Sequence, residues 1–443
     1  MTASSKKPVA QPLPANTPAG LPDGLEVWLD DESVGPITHM GRLHRVGTDT
    51  VRFEYAADWL KNPAAFAVDP ELALADGNFY PRDSNFGVFL DSCPDRWGQV
   101  LMKRRELVEA KQQGRARREL KAWDFFLGVQ DITRMGALRF SPLQSTRQLK
   151  AGPPPEFSGA GCLANQALAA PALTSMGDLQ AVALELTRKK VDDLDLLQQW
   201  LRVLVAPGAS LGGARPKANL QDGQGNLWIA KFPAADDEHD WARREMLVHQ
   251  LAGDFGLDVA PARLERIGTG HSTFVTKRFD RRNGRRRFFT SAMALLNKTD
   301  SEDASYLDLA EFIGSKHGVE GHIEHDLREL FRRVLFNVAI ANRDDHLRNH
   351  GFIRQPGGWR LAPAYDMNPS TKKDEHVLAL DDSSTEPDLA TVMSTAAFYR
   401  VATKDAEADL ARLRKVLAEW EQKAKNLGLS AEDRLELKDC FQT

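Results

Sequence analysis

From Leu25 the chain alternates apolar and polar positions over short spans: Leu25, Val27 and Leu29, then Val51, Phe53 and Tyr55 with arginine and glutamate between them. A period of two, broken by Gly and Asp, predicts a small antiparallel sheet, to which residues 136–140 return a strand. Between these runs, residues 97–108 read as a helix. A second helical stripe follows at Leu194, Leu197, Leu201, Leu204 and Val205. Asp222-Gly223-Gln224-Gly225 then separates 218–221 from 227–232, which predicts a hairpin. A helix is expected over 243–254, ended near Gly256, and a second hairpin pairs 273–279 with 285–289 across Asn283-Gly284. After about Asp303 the strands largely stop. Leu327, Leu330, Phe331, Val334, Leu335 and Val338 follow the i, i+3, i+4, i+7 pattern of a buried helix, and 404–427 reads as one long helix with Thr403 as its N-cap.

Strands first and helices afterwards is an α+β order with the two classes segregated. The texture divides the chain into a proline-rich tail (1–24), a β-rich unit (25–147), a Pro-, Gly- and Ala-rich linker (148–176), a second strand-bearing unit (177–302) and a helical unit (303–443). The 443 residues carry 58 Lys+Arg against 62 Asp+Glu, a net charge of −4, with 42% apolar residues. That mixture excludes a disordered or collagen-like chain, and the balanced charge argues against wholesale coating of nucleic acid. Cys93, Cys162 and Cys440 fit no C-x-x-C spacing, which points to a reducing compartment. With no apolar run near the ~18–20 residues that span a bilayer and no signal-peptide core in the tail, a cytoplasmic location is expected.

The chemistry concentrates in Asn342-Arg343-Asp344-Asp345-His346-Leu347-Arg348-Asn349, directly after the buried helix. Asp344 and Asn349 have the Asp-x-x-x-x-Asn spacing of a phosphotransfer loop, in which the Asp accepts a hydrogen bond from the attacking hydroxyl and the Asn holds magnesium. Seventeen residues on, Asp366 can supply a second magnesium contact. Upstream, Gly208, Ser210, Gly212 and Gly213 lie in a loop whose backbone amides can cradle phosphates, and Lys217 ends it with a point charge. Lys231 sits on a predicted strand where an ammonium reaches nucleotide phosphates, with Glu245 on the next helix to steady it. Each of these residues alone reads as an ordinary surface group. Their order along the chain is that of a kinase.

These residues carry a resemblance. Ser210-Leu-Gly-Gly-Ala-Arg-Pro-Lys217, Ile229-Ala-Lys-Phe-Pro233, Lys277-Arg-Phe-Asp-Arg281, Asp344-Asp-His-Leu-Arg-Asn349 and Leu361-Ala-Pro-Ala-Tyr-Asp366 resemble motifs of the HipA family, serine/threonine protein kinases that are toxins of bacterial type II toxin–antitoxin modules. Asp91-Ser-Cys-Pro-Asp-Arg-Trp-Gly98 looks like the family's N-terminal signature. The resemblance implies a two-lobed protein-kinase-like fold, with a β-rich N-lobe, an extra N-terminal subdomain and a helical C-lobe, working on ATP and Mg²⁺. It implies that Asp344 is the catalytic base, Asn349 and Asp366 the magnesium ligands and Lys231 the ATP-phosphate lysine, with Lys277 to Phe279 the hinge that holds adenine. It further implies that Ser210 is autophosphorylated, which switches the enzyme off by placing about −1.5 to −2 charge where ATP phosphates must sit. The implied partners are a HipB-like helix-turn-helix antitoxin, operator DNA through that antitoxin, and a protein substrate such as an aminoacyl-tRNA synthetase.

Three other readings compete. A small-molecule kinase would use the same Asp, Asn and Asp with a closed acceptor pocket. His346 and His350, with His317, His322 and His325, could suggest a metal-dependent nuclease, although loop histidines without metal fit their spacing better. The basic run from Lys277 to Arg287 invites nucleic acid, but a solvated charged turn is the simpler expectation.

Overall fold

The computed structural model describes residues 22–47, 50–145, 149, 154–155, 157, 176–187, 215–268, 270–370 and 373–441. The helical stripe at 194–205 and the loop holding Gly208, Ser210, Gly212 and Gly213 lie outside the described residues.

The N-terminal subdomain is a four-stranded antiparallel sheet in the order β3-β2-β1-β4, formed by β1 (Gly24–Leu29), β2 (Thr38–Val46), β3 (Thr50–Tyr55) and β4 (Leu138–Pro142). The alternating pattern of β1 predicts one wet face, yet all six residues are buried. Glu26 on its polar face is satisfied there by His39 at 2.7 Å, Arg42 Nε at 3.1 Å and the Gln144 amide at 3.0 Å. Helix α1 (Arg96–Gln112) follows, its first turn capped by Asp95, which accepts the Gly98 amide at 2.8 Å.

Helix α2 (Met176–Thr187), inside the span read from sequence as linker and the start of the next unit, packs on the second sheet. That sheet holds β5 (Lys217–Gln221) and β6 (Leu227–Lys231), joined by the predicted turn, with helix α3 (Trp241–Phe255) after them. Asp222 organises the turn by accepting the Gln224 and Asn226 amides and the Trp228 indole, each at 2.9 Å. Gly256, at φ 92°, ends α3 in the left-handed conformation that glycine adopts without a Cβ penalty. Two further strands, β7 (Ala262–Glu265) and β8 (Thr273–Lys277), complete the order β5-β6-β8-β7.

This arrangement corrects the second predicted hairpin. Both edges of β8 are taken by β6 and β7, so it has no edge for 285–289. The Asn283-Gly284 turn forms as expected, at φ 51° and 75°, but it joins only two-residue arms, β9 (Arg281–Arg282) and β10 (Arg285–Arg286).

The chain continues through β11 (Phe289–Ser291), α4 (Tyr306–Gly314) and the buried helix α5 (Ile323–Ala339). The helical half still contains a hairpin, β12 (Gly351–Gln355) with β13 (Gly358–Leu361), which pairs with β11. The predicted 404–427 helix is two: α6 (Thr403–Leu417), preceded by Ala402 rather than capped by Thr403, and α7 (Trp420–Asn426); α8 (Ala431–Lys438) follows. One large apolar cluster joins the N-terminal sheet, α3, α5 and the β11-β12-β13 sheet. Phe66 marks the junction, with its ring 5.5 Å from Phe288 and 6.2 Å from Trp359. The result is an α+β, two-lobed protein-kinase-like fold with an added N-terminal subdomain.

Candidate active site

Lys231, the last residue of β6, carries the central charge. Its Nζ lies 2.6 Å from Glu245 Oε1 on α3 and 2.9 Å from Asp366 Oδ1 on the loop after β13. Sheet, helix and late loop therefore meet at one ammonium, as the sequence order predicts. Burial opposes the charged amine, but the carboxylates of Asp366 and Glu245 outweigh it and raise the Lys231 pKa above its ordinary value. For Asp366, burial pushes the carboxyl up, while Lys231, Lys217 and His346 bring it below the usual carboxylate range. Asp366 also sits at φ 57°, a left-handed conformation that a short polar side chain tolerates better than most.

Asn349 ends a short 3₁₀ turn, Leu347–Asn349. It is buried, and its Oδ1 accepts no hydrogen bond among the described residues. An orphaned buried amide oxygen beside a carboxylate-bearing loop is the donor type a magnesium ion takes, so the residues present fit that ion. The two loops are tied together by Tyr365, whose hydroxyl donates to the Arg348 carbonyl at 2.7 Å.

The neighbouring Asp345 holds the loop at 342–349 in shape. It accepts hydrogen bonds from the Tyr306 hydroxyl, the Asn337 amide and His350 Nε2, each at 2.7 Å. Asn337, the polar residue inside the apolar stripe of α5, is thus the anchor for the loop that follows. Burial raises the Asp345 carboxyl, and His350 and Tyr306 outweigh that rise, leaving it below the usual range. His350 is committed to this network, His317 stacks on Phe312, and His325 bonds Asp326.

Asp344 faces outward from the same loop. Its side chain is 64% exposed and ion-paired with Lys373, a partner that sequence spacing does not reveal. Among the described residues its ion pair is with Lys373 and not with Lys231.

The cleft, about 730 Å³ including the part open to solvent, is lined by Lys217, Ile229, Phe274, Thr276, Lys277 and Phe279 besides the charged trio. Phe279 stacks on Tyr365 at 5.6 Å. In the expected hinge, the Lys277 amide donates to the Pro261 carbonyl at 2.8 Å and the Arg278 amide to the Leu227 carbonyl at 2.9 Å. Those N–H groups are spent within the fold, which restricts what an adenine edge can address there. Lys217 is 3% exposed and ion-paired at 2.8 Å with Asp95, at the N-terminus of α1. Asp95 belongs to the signature quoted from the sequence, but nothing local to it signals this role.

The basic run is a solvated turn only at Arg282 to Arg285, which are exposed. Arg278 and Arg286 are buried. Arg278 and Arg281 both pair with Asp280 at 2.6 Å, Arg286 with Asp131 at 2.9 Å, and Arg282 with Glu32 at 2.8 Å. Through Asp131 and Glu32 the run is fastened to the N-terminal subdomain.

Comparison with known proteins places this geometry. The HipA N-terminal domain family matches residues 25–140, and the HipA-like C-terminal domain family matches 209–427. A protein of Haemophilus influenzae, provisionally named a kinase, is 30% identical over 184 residues, covering 36% of this chain and 52% of its own. A second, provisionally named kinase Y4mE, from Sinorhizobium fredii, is 28% identical over 159 residues, covering 31% and 33%. The matched segments thus span about half of one relative and a third of the other. The HipA structure of Shewanella oneidensis MR-1, solved in a complex of the toxin–antitoxin proteins HipA and HipB with operator DNA, superposes with a TM-score of 0.62 over 94% of both chains at 18% identity. With both domain families present in sequence over most of its length, and a structural match over 94% of the chain, the chain belongs to the HipA family.

Proposed function

We propose that this chain is a serine/threonine protein kinase that transfers the γ-phosphoryl group of ATP to a protein hydroxyl. The observation that carries the reading is the meeting of Lys231, Glu245 and Asp366 at 2.6 and 2.9 Å, with the orphaned oxygen of Asn349 on the adjoining loop. Phosphoryl transfer asks a protein mainly for positioning and charge neutralisation. Lys231, oriented by Glu245, donates to the nucleotide phosphates. Asn349 and Asp366 would hold magnesium, whose charge when bound neutralises the phosphate oxygens. Asp344 exchanges Lys373 for the acceptor hydroxyl and takes its proton as the hydroxyl oxygen bonds to phosphorus and ADP leaves. Ser210 is the self-modified residue, a HipB-like antitoxin restrains the enzyme and brings it to operator DNA, and an aminoacyl-tRNA synthetase is the leading target class.

The test is incubation with γ-labelled ATP and magnesium, followed by mass spectrometry. Phosphate on Ser210 is expected, with Asp344→Ala reducing transfer on the order of 10²- to 10⁴-fold. A wild type that labels small metabolites but no protein would replace this reading with that of a small-molecule kinase.

A further inference from the structure

Lys217 and Lys231 are direct register partners on the antiparallel strands β5 and β6. Opposed residues of such strands present their side chains on one face, where like charges destabilise unless each is compensated. Both lysines line the cleft. Lys231 is compensated by Glu245 and Asp366, from its own lobe and the other. Lys217 draws its counter-charge from the N-terminal subdomain, through Asp95 at 2.8 Å, with both side chains 3% exposed.

Asp95 divides its two oxygens between two tasks. Oδ1 accepts the Gly98 amide and caps α1, while Oδ2 holds the Lys217 ammonium. Helix α1 is itself fixed against the sheet, since Trp97, Leu101 and Val108 share a core with Ala218, Leu220 and Ala230. The carboxylate is therefore delivered by a rigid element. Burial raises the Asp95 carboxyl pKa, with the Lys217 ammonium and the Gly98 amide pulling against that rise.

We propose that Asp95 is a positioning residue that holds the Lys217 ammonium in the cleft as a second cation for the nucleotide phosphates, so that the N-terminal subdomain sets phosphate affinity. This rests on the nucleotide-binding reading above. It places a determinant of nucleotide affinity outside both kinase lobes.

Asp95→Asn separates the two tasks, because an asparagine Oδ1 still caps the helix while its amide no longer attracts an ammonium. Calorimetric titration of the full-length protein with ATP, ADP and adenosine reads the outcome. Expected is a weakening of about tenfold or more for ATP and ADP, the size of one lost charge-assisted contact, with adenosine changed less than about twofold. In a Lys217→Met background the same substitution should add nothing further. Asp95→Ser, which also keeps a cap, should reproduce the ATP and ADP loss. Equal losses for ATP and adenosine, or additive effects with Lys217→Met, would make the pair merely structural and overturn the proposal. Unchanged ATP affinity in Asp95→Asn would overturn it while leaving the nucleotide reading intact. A wild type that binds neither ATP nor ADP would overturn that reading itself.

Discussion

Lys231 shows how much one side chain holds together. Removing it takes away the ammonium shared by Glu245 and Asp366, and two neighbouring carboxylates cannot both ionise cheaply. Lys231→Met should abolish phosphoryl transfer and lower unfolding free energy by about 1–3 kcal/mol in urea titration, a figure reduced for the partial exposure of the site. A second residue sets an acid limit. His376 is buried, and burial, with Arg343 adding to it against Asp345, depresses its pKa to about 4. The folded state keeps this imidazole neutral, while the unfolded chain protonates it below about pH 6.5. Stability contributed by His376 is therefore present above that pH and lost as pH falls toward 4. Urea titrations at pH 7 and pH 4.5 should differ by about 2 kcal/mol more in wild type than in His376→Leu. At this scale the order of motifs along the chain picked out Lys231, Glu245, Asn349 and Asp366, although each alone reads as an ordinary surface group. It assigned no role to Asp95 and Tyr365, although both lie in quoted motifs, or to Lys373, because their partners are set by the fold rather than by any local pattern.

Elements were legible where periodicity was strong and obscure where pairing was distant. The stripe of α5 and the turn at Asp222–Gly225 could be read directly, since both are local. The partner of β8 could not, because two competing edges decide it. Helix α3, which carries Glu245, is braced from behind by the end of the chain. Arg244 pairs with Asp433 at 2.5 Å and Glu436 at 2.8 Å on α8, and Lys423 on α7 reaches Asp254 at 2.8 Å. Arg244 is only 4% exposed, so Asp433→Ala leaves a buried guanidinium short of its main partner. The variant should lose about 3 kcal/mol in denaturant titration, and its phosphoryl-transfer rate should fall with the looser placement of Glu245.

The whole molecule behaves as one interlocked body among its described residues. Asp280, fully buried, accepts the Gly136 amide of the N-terminal subdomain at 2.8 Å and pairs with Arg278 and Arg281. Burial would raise its carboxyl, yet the two arginines hold it far below the usual range. Calorimetry of the wild type should therefore show a single cooperative transition, and Asp280→Ala, which strands two guanidinium groups, should split or broaden it with a loss of roughly 3–5 kcal/mol. Sequence texture divided the chain into units, and it could not foresee this fusion, because the basic hairpin reads as wet until its acidic partners are known. The bracing of α3 carries a last consequence. Many kinases idle by swinging the glutamate-bearing helix away, but here that helix is bolted to the tail of its own chain. On the proposed kinase reading, control is expected at the mouth of the cleft rather than through displacement of α3.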